Sequence, residues 1–315
     1  MHMGYALGID VGGTSIKAGI FTLEGDLEAT KSIPTDELTN EAAFADVTSA
    51  LTDLIGTCGA KPEDIVALGL DVPGPVNAKG EVGFFPNIKL DAPRFERTLK
   101  GAFPKAVTAF INDANAAALG EMWMGAAKLY ENFVMLTLGT GVGGGIVTNG
   151  QLVAGHVGAA GELGHLTMNP DETETCGCGR KGCLEQYASA SGIVRLYKQA
   201  CEVANAMPCP LSGRSDSYAV FQAMGAGDPQ AKWAISSMLE YLARAMANIA
   251  CVVDPECFVI GGGVVGSFDI FKDELKQRYQ AHCLSVCKDI KIVPATLGNQ
   301  AGMYGAAMCA LDKER

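Results

Sequence analysis

Two stretches decide how this chain is read: LGIDVGGTSIKAGIF at residues 7–21 and LTLGTGVGGGIVT at residues 136–148. Each is an apolar segment, a glycine-tipped turn and a second apolar segment, which is the pattern of a β-hairpin. Their continuations, AGIFTLEG and GGIVTNG, also match, roughly 130 residues apart. The repetition predicts two domains built on one plan, each opening with such a hairpin. A chance match of two glycine-rich turns is the competing reading.

The rest of the chain alternates strand and helix. Residues 40–55 place Phe44, Val47, Leu51, Leu54 and Ile55 on one helical face. IVALGLDVPG (65–74) reads as a buried strand ending in a Pro-Gly turn, and VTAFIND (107–113) as a second one running into an Ala-, Leu- and Met-rich helix. Beyond 184 the pattern is mostly helical, with almost no breakers over 230–252. PECFVIGGGVVGS (255–267) is a strand ending in three glycines, IKIVPATLG (290–298) is a further strand, and 300–311 is a last helix. This alternation predicts an α/β fold.

Composition excludes several classes. The chain has 315 residues, 48% apolar and 19% charged, which is neither disordered nor membrane-like. Its apolar runs are too short to span a bilayer. The start, MHMGYALGID, lacks a basic segment, and its apolar run is broken at Gly8 and Asp10, so it does not read as a signal peptide. Net charge is −11, and Lys and Arg form no stripe, which argues against a nucleic-acid partner. An anionic ligand would need backbone N–H groups and a cation to hold it. Eleven cysteines without an export signal point to a reduced, cytoplasmic setting. Cys58, Cys201, Cys251 and Cys257 sit in apolar patterns and read as small core residues.

Three glycine clusters carry candidate chemistry. At Asp10-Val11-Gly12-Gly13-Thr14, Gly12 and Gly13 allow a backbone that presents N–H groups to phosphate, and Asp10 ends a strand where a carboxylate can hold hydrated Mg²⁺. Taken alone, that segment reads better as a plain tight hairpin with a capped turn. Residues 139–145 hold five glycines in seven positions, more than a hairpin turn needs. Glycine weakens strands, so close approach of a ligand is the favoured reading there. Gly261-Gly262-Gly263 follows an apolar strand, and strand carboxyl ends are where α/β sheets bind ligands. Asp113, at a strand-to-helix junction, is either a helix cap or a base.

ETCGCGRKGCLEQYAS (174–189) places three cysteines in ten residues, with His165 eleven residues before the first of them. Metal binding, redox exchange, a disulfide and simple packing all suit such a cluster. His165, Cys176, Cys178 and Cys183 make one histidine and three cysteines, a closed tetrahedral set for structural zinc. Redox chemistry is the weaker reading, since thioredoxin-like sites use CxxC in another context.

With DVGGT (10–14), LGTGVGGG (138–145), the ExGH element Glu162–His165 and CGCGRKGCLE (176–185), the sequence resembles the ROK family of sugar kinases and repressors, over about residues 5–310. The resemblance implies a two-lobed actin-like, hexokinase-type ATPase fold of duplicated ribonuclease H-like domains with a central cleft. The small lobe would be 1–112 plus 299–315, and the large lobe 113–298 with the zinc loop. It further implies that Asp10, Gly12, Gly13, Thr14, Thr140 and Gly141 hold ATP phosphates and Mg²⁺, with Gly262 and Gly263 near the adenosine. Asp113 would be the general base. Asn87, Asn112, Glu162, His165 and Glu185 would bind the sugar together with it, and His165, Cys176, Cys178 and Cys183 would hold structural zinc.

The activity so implied is ATP-dependent phosphorylation of a hexose 6-hydroxyl, with glucose as the leading substrate, in a cytoplasmic homodimer. Fructose, N-acetylmannosamine, N-acetylglucosamine or allose as acceptor, or polyphosphate as donor, are alternatives that a few loop residues decide. A non-catalytic sugar sensor is the alternative of another class. The family's repressors carry an N-terminal DNA-binding domain, and here the first glycine hairpin begins within ten residues of the start.

Overall fold

In the computed structural model of the protein, which describes residues 4–13, 15–34, 37–83 and 88–314, both glycine-tipped stretches are hairpins. β1 (Tyr5–Val11) and β2 (Ser15–Thr22) pair antiparallel, with Asp10 opposite Lys17. β3 (Leu27–Pro34) continues the meander. Its burial alternates residue by residue along most of its length, as expected of an edge strand with one wet face. β4 (Ile65–Val72) and β5 (Val107–Asn112) add in parallel on the other side, giving the order β3-β2-β1-β4-β5.

The second sheet contains β6 (Phe133–Leu138), β7 (Val142–Thr148), β8 (Gln151–Leu152), β9 (Cys257–Gly261) and β10 (Lys291–Pro294). Its order is β10-β9-β6-β7-β8. Taken from the other edge, this is the first sheet's order again: an antiparallel hairpin at the centre, then two parallel strands. The repeat in the sequence is a repeat of topology, as the duplicated plan requires.

The helices are α1 (Glu41–Thr57), α2 (Ala92–Ala102), α3 (Asp113–Met124), α4 (Glu185–Ala188), α5 (Ala190–Val203), α6 (Ser217–Gly225), α7 (Pro229–Val253), α8 (Phe268–His282) and α9 (Ala301–Glu314). α1 buries the five apolar residues its periodicity selects, and Asn40 caps it by accepting from Ala43 N–H at 3.0 Å. In α7, Asp228 accepts from the N–H groups of Gln230 and Ala231, and Pro229 fills the first turn, where its missing donor costs nothing.

The chain divides into two compact units. One comprises Met1–Leu129, Leu152–Ala160 and Thr296–Arg315; the other comprises Tyr130–Gln151 and Gly161–Ala295. The boundary expected at 112/113 therefore falls at 129/130, and residues 152–160 belong to the first unit. The cause is α3, whose Ala116 and Leu119 share an apolar cluster with Ile111 of β5 and Ala306 of α9. α9 in turn lies on the first sheet. A Cβ on Gly8 would fall 1.9 Å from the Met303 carbonyl oxygen, and one on Gly69 would fall 1.7 Å from that of Ala306. These two glycines are paired across β1 and β4, so the helix backbone rests directly on the sheet.

Glu121 of α3 is completely buried. Its carboxylate accepts from Ala126 N–H at 2.7 Å, Thr296 N–H at 2.9 Å, Leu297 N–H at 2.8 Å and the Thr296 hydroxyl at 3.1 Å. It thereby fixes the segment entering α9. Glu121→Ala leaves these donors without a partner, and the expected loss is about 3–5 kcal/mol. Equilibrium urea unfolding checks this; a loss below about 1 kcal/mol would show that the clamp is not needed.

Two core assignments need correction. Cys251 is exposed and Cys58 is half-buried, whereas Cys201 and Cys257 are buried as expected. Cys251 follows Ala250 on α7 and falls on the face turned away from the core that holds Ile249 and Ala250.

Candidate active site and metal centre

In the first unit the site is built at the ends of β1, β4 and β5. Asp10 is the penultimate residue of β1, and Asp71 stands beside it on β4 in parallel register. Lys17 faces Asp10 across the hairpin, with Nζ 3.6 Å from Oδ2. Burial raises the Asp10 carboxyl above its ordinary range, and Lys17 opposes that shift. Asp71 is pushed well above the ordinary range, first by burial and then by the charges of Asp10 and Asp113. The turn after Asp10 closes with Gly12 N–H donating to the Ser15 carbonyl at 3.0 Å. Gly13 is exposed at its tip. Thr14 and Asn87, both expected in the site, lie outside the described residues.

The β5–α3 junction resolves the question of what caps the helix. Asn112 is the cap, its Oδ1 accepting from Ala114 N–H at 3.0 Å and Asn115 N–H at 3.2 Å. Its Nδ2 donates to the Gly74 carbonyl at 3.2 Å and to Asp113 Oδ1 at 2.9 Å. An asparagine side chain has two donor hydrogens and two acceptor positions. All four are engaged, so Asn112 would have to release a partner to bind a sugar. Asp113 is exposed, and its Oδ1 is oriented by Asn112 and by Ala114 N–H at 2.8 Å. The carboxylate is held in place without being buried.

In the second unit two glycine clusters meet. Thr137 of β6 pairs with Gly261 of β9, so the turn after β6 and the loop after β9 emerge side by side. Gly262 has φ +81°, and a Cβ there would fall 2.5 Å from the Leu138 carbonyl carbon. Thr140 is exposed in the β6–β7 turn, and Gly262 and Gly263 are exposed in the adjoining loop.

At two positions of the glycine cluster 139–145 the close approach has a different cause from the one expected. A Cβ on Gly144 would meet the Gly161 carbonyl at 2.5 Å, and one on Gly141 would meet Glu185 Oε2 at 2.1 Å. At these two positions the protein itself makes the close approach. Around Gly139 the corresponding space is open.

Glu185, the first residue of α4, joins the hairpin to the cysteine loop. Its Oε2 accepts from Val142 N–H at 3.1 Å, and its Oε1 lies 3.4 Å from Cys176 Sγ. His165 and the three cysteines place one ligand atom each within 4.8 Å of one another. Cys178 and Cys183 sulfurs are 3.6 Å apart, and His165 Nδ1 is 3.9 Å from Cys176 Sγ. Tetrahedral zinc, with Zn–S about 2.3 Å and Zn–N about 2.0 Å, needs ligand edges of about 3.6–3.8 Å. The donor set fits zinc in number, chemistry and spacing. The sulfurs are too far apart for a disulfide, whose S–S length is about 2.05 Å. Burial pushes the Cys176 thiol up to about 12 and raises Cys183 as well, whereas Cys178 is lowered, its burial outweighed by the hydrogen bond from Arg180 N–H and those with the other two cysteines. His165 has two faces: Nδ1 toward the cysteines, and Nε2 3.8 Å from the exposed Glu162 carboxylate.

The loop is anchored by Glu172. Its Oε2 receives the Tyr187 hydroxyl at 2.6 Å and Arg195 at 3.0 Å, and its Oε1 receives the N–H groups of Thr173 and Glu174. Burial alone would raise its pKa, but these donors hold it at about 2. A carboxyl whose folded pKa is depressed stabilises the fold above its unfolded value and loses that contribution as pH falls toward the folded one. Wild type is therefore expected to lose stability between about pH 4.5 and 2, and Glu172→Gln to lose less over the same range. Urea midpoints at pH 5 and pH 3 check this; parallel losses in both proteins would contradict it.

Sequence reasoning passed over Asp71 and Lys17. Asp71 was visible as the single charge in the apolar run IVALGLDV, and Lys17 as the residue a hairpin register places opposite Asp10.

The sequence profile of the ROK family matches residues 6–313. A glucokinase of Halalkalibacterium halodurans is 35% identical, over 98% of this chain and 95% of that protein. The ROK hexokinase of Thermus thermophilus superposes with a TM-score of 0.83 at 32% identity, covering 98% of each chain. A ROK family glucokinase from Streptomyces griseus, solved in complex with glucose and AMPPNP, superposes with a TM-score of 0.75 at 28% identity, over 98% of this chain and 100% of that one. Among the described residues, no helix is long and apolar enough to cross a membrane.

Proposed function

Because this chain belongs to the ROK family, with the actin-like, hexokinase-type fold of its relatives, we propose that it transfers the γ-phosphoryl group of ATP to the 6-hydroxyl of glucose. The observation that carries this reading is Asp113, an exposed carboxylate oriented by Asn112 and by the first turn of α3. Asp113 takes the hydroxyl proton as the O–P bond forms, for which an ordinary carboxylate suffices. The exposed tip of the turn at Gly13, with the N–H groups at Thr140 and Gly141, holds the phosphates, Gly12 keeping that turn closed through its N–H to Ser15, and Gly262 and Gly263 border the nucleotide. Asp10 holds the accompanying Mg²⁺, which neutralises charge on the phosphates when bound.

Glu162, His165 and Glu185 orient the sugar. Zinc on His165, Cys176, Cys178 and Cys183 is structural: it fixes the imidazole so that Nε2 keeps its place beside Glu162. A coupled assay with glucose and MgATP tests the reading, followed by a panel of other hexoses and polyphosphate. Turnover with none of them would sink it. Turnover confined to N-acetylated sugars would retain the kinase and change its substrate.

A further inference from the structure

Asp71 has no part in the chemistry assigned so far, yet it lies at the centre of the first unit's site. It is the only charged residue of β4 and is 3% exposed. Parallel register sets it beside Asp10, so both side chains leave the sheet on the same face, from strands about 4.8 Å apart. Both reach the first turn of α9. A Cβ on Gly302 would fall 2.2 Å from Asp71 Oδ2 and 3.7 Å from Asp10 Cγ, and its absence makes the slot that Asp71 occupies.

Asp71 Oδ1 is buried without a hydrogen-bond partner. Glu121 shows how this protein buries a carboxylate for structure alone, with four donors on its two oxygens. Asp71 lacks such a shell, and an orphaned buried acceptor calls for something outside the protein to complete it. The charged groups facing it are Asp10, Asp113 and Lys17, the last within 4 Å of Asp10.

Resting on the kinase reading, we infer that Asp71 is a positioning residue for the divalent cation that travels with the nucleotide. Asp10 and Asp71 form a two-carboxylate cation site, with Asp10 at the exposed edge and Asp71 beneath it. Magnesium is commonly held through one or two carboxylates, phosphate oxygens and retained waters. With the cation bound beside it Asp71 ionises despite its burial, and its unpartnered oxygen then supplies a second negative charge and an acceptor for the cation's inner water shell. Gly302 is part of the site because any side chain there would displace the Asp71 carboxylate.

The test uses Mn²⁺ as a paramagnetic probe, titrated into the full-length protein with AMPPNP while the free-ion signal is followed by electron paramagnetic resonance. Asp71→Asn keeps the shape and removes the charge. It is expected to bind Mn²⁺ about tenfold more weakly or worse, to need correspondingly more Mg²⁺ for half-maximal turnover, and to leave the glucose KM unchanged. Gly302→Ala, which pushes the carboxylate aside, is expected to weaken Mn²⁺ in the same direction and decides the matter should Asp71→Asn fail to fold. Wild-type Mn²⁺ affinity in either folded variant would overturn the assignment. Weaker Mn²⁺ binding in the variants, with no turnover of any hexose by wild type, would uphold the cation site while removing the kinase reading.

Discussion

Asp113→Asn is expected to lower kcat for glucose phosphorylation by about 10²–10⁴-fold, the usual contribution of a general base, while the glucose KM changes little. The substitution is a clean one. The amide oxygen can still accept from Ala114 N–H and from Asn112, as Asp113 Oδ1 does, and Asn112 still caps α3. What is lost is the ability to take a proton. Steady-state kinetics with MgATP, alongside glucose binding by calorimetry, separates the two effects. A variant retaining kcat within a few-fold of wild type would show that another group accepts the proton. The result also bears on the sensor alternative, which needs a sugar site but no base.

Cys178→Ala is expected to strip zinc from the purified protein and to raise the glucose KM by about tenfold or more, with a smaller effect on kcat. Cys178 is exposed, and its sulfur lies 3.6 Å from that of Cys183. Removing it deletes a ligand without opening a cavity in the core. With three donors left, the ion loses its closed tetrahedral shell, and His165 loses the partner that fixes its ring. Elemental analysis gives the zinc content and a glucose titration gives the KM. Full zinc occupancy with unchanged kinetics would refute the indirect role assigned to the loop. Loss of zinc with an unchanged KM would confine the metal to stability.

The sequence showed most clearly what is local. The two hairpins, the buried face of α1, the β5–α3 junction and the ligand spacing around residues 165–183 follow from side-chain periodicity, turn chemistry and donor type within short windows. What it hid depends on contacts between distant segments. The 129/130 boundary comes from α3 packing on α9, a contact between segments nearly two hundred residues apart in the chain. Gly141 and Gly144 looked like room for a ligand because Glu185 and Gly161, which occupy that room, arrive from later in the chain. Asp71 was legible as an anomaly, but its meaning needed the register with Asp10 and the slot at Gly302.

The glycine contact between α9 and the first sheet bears on the order in which the protein can be completed. Phe21, Ala67 and Ala109 share a buried cluster with Met303, Tyr304, Ala307, Ala310 and Leu311 of α9. These strands leave the ribosome early and the helix that covers them leaves long after them. Through most of synthesis that face of the sheet is open, whereas every segment of the second unit has emerged before α9 begins. The later-starting unit is thus able to close before the first, and the sheet that carries the opening hairpin waits for α9. A nascent chain halted before residue 301 carries an exposed apolar surface of the kind chaperones bind.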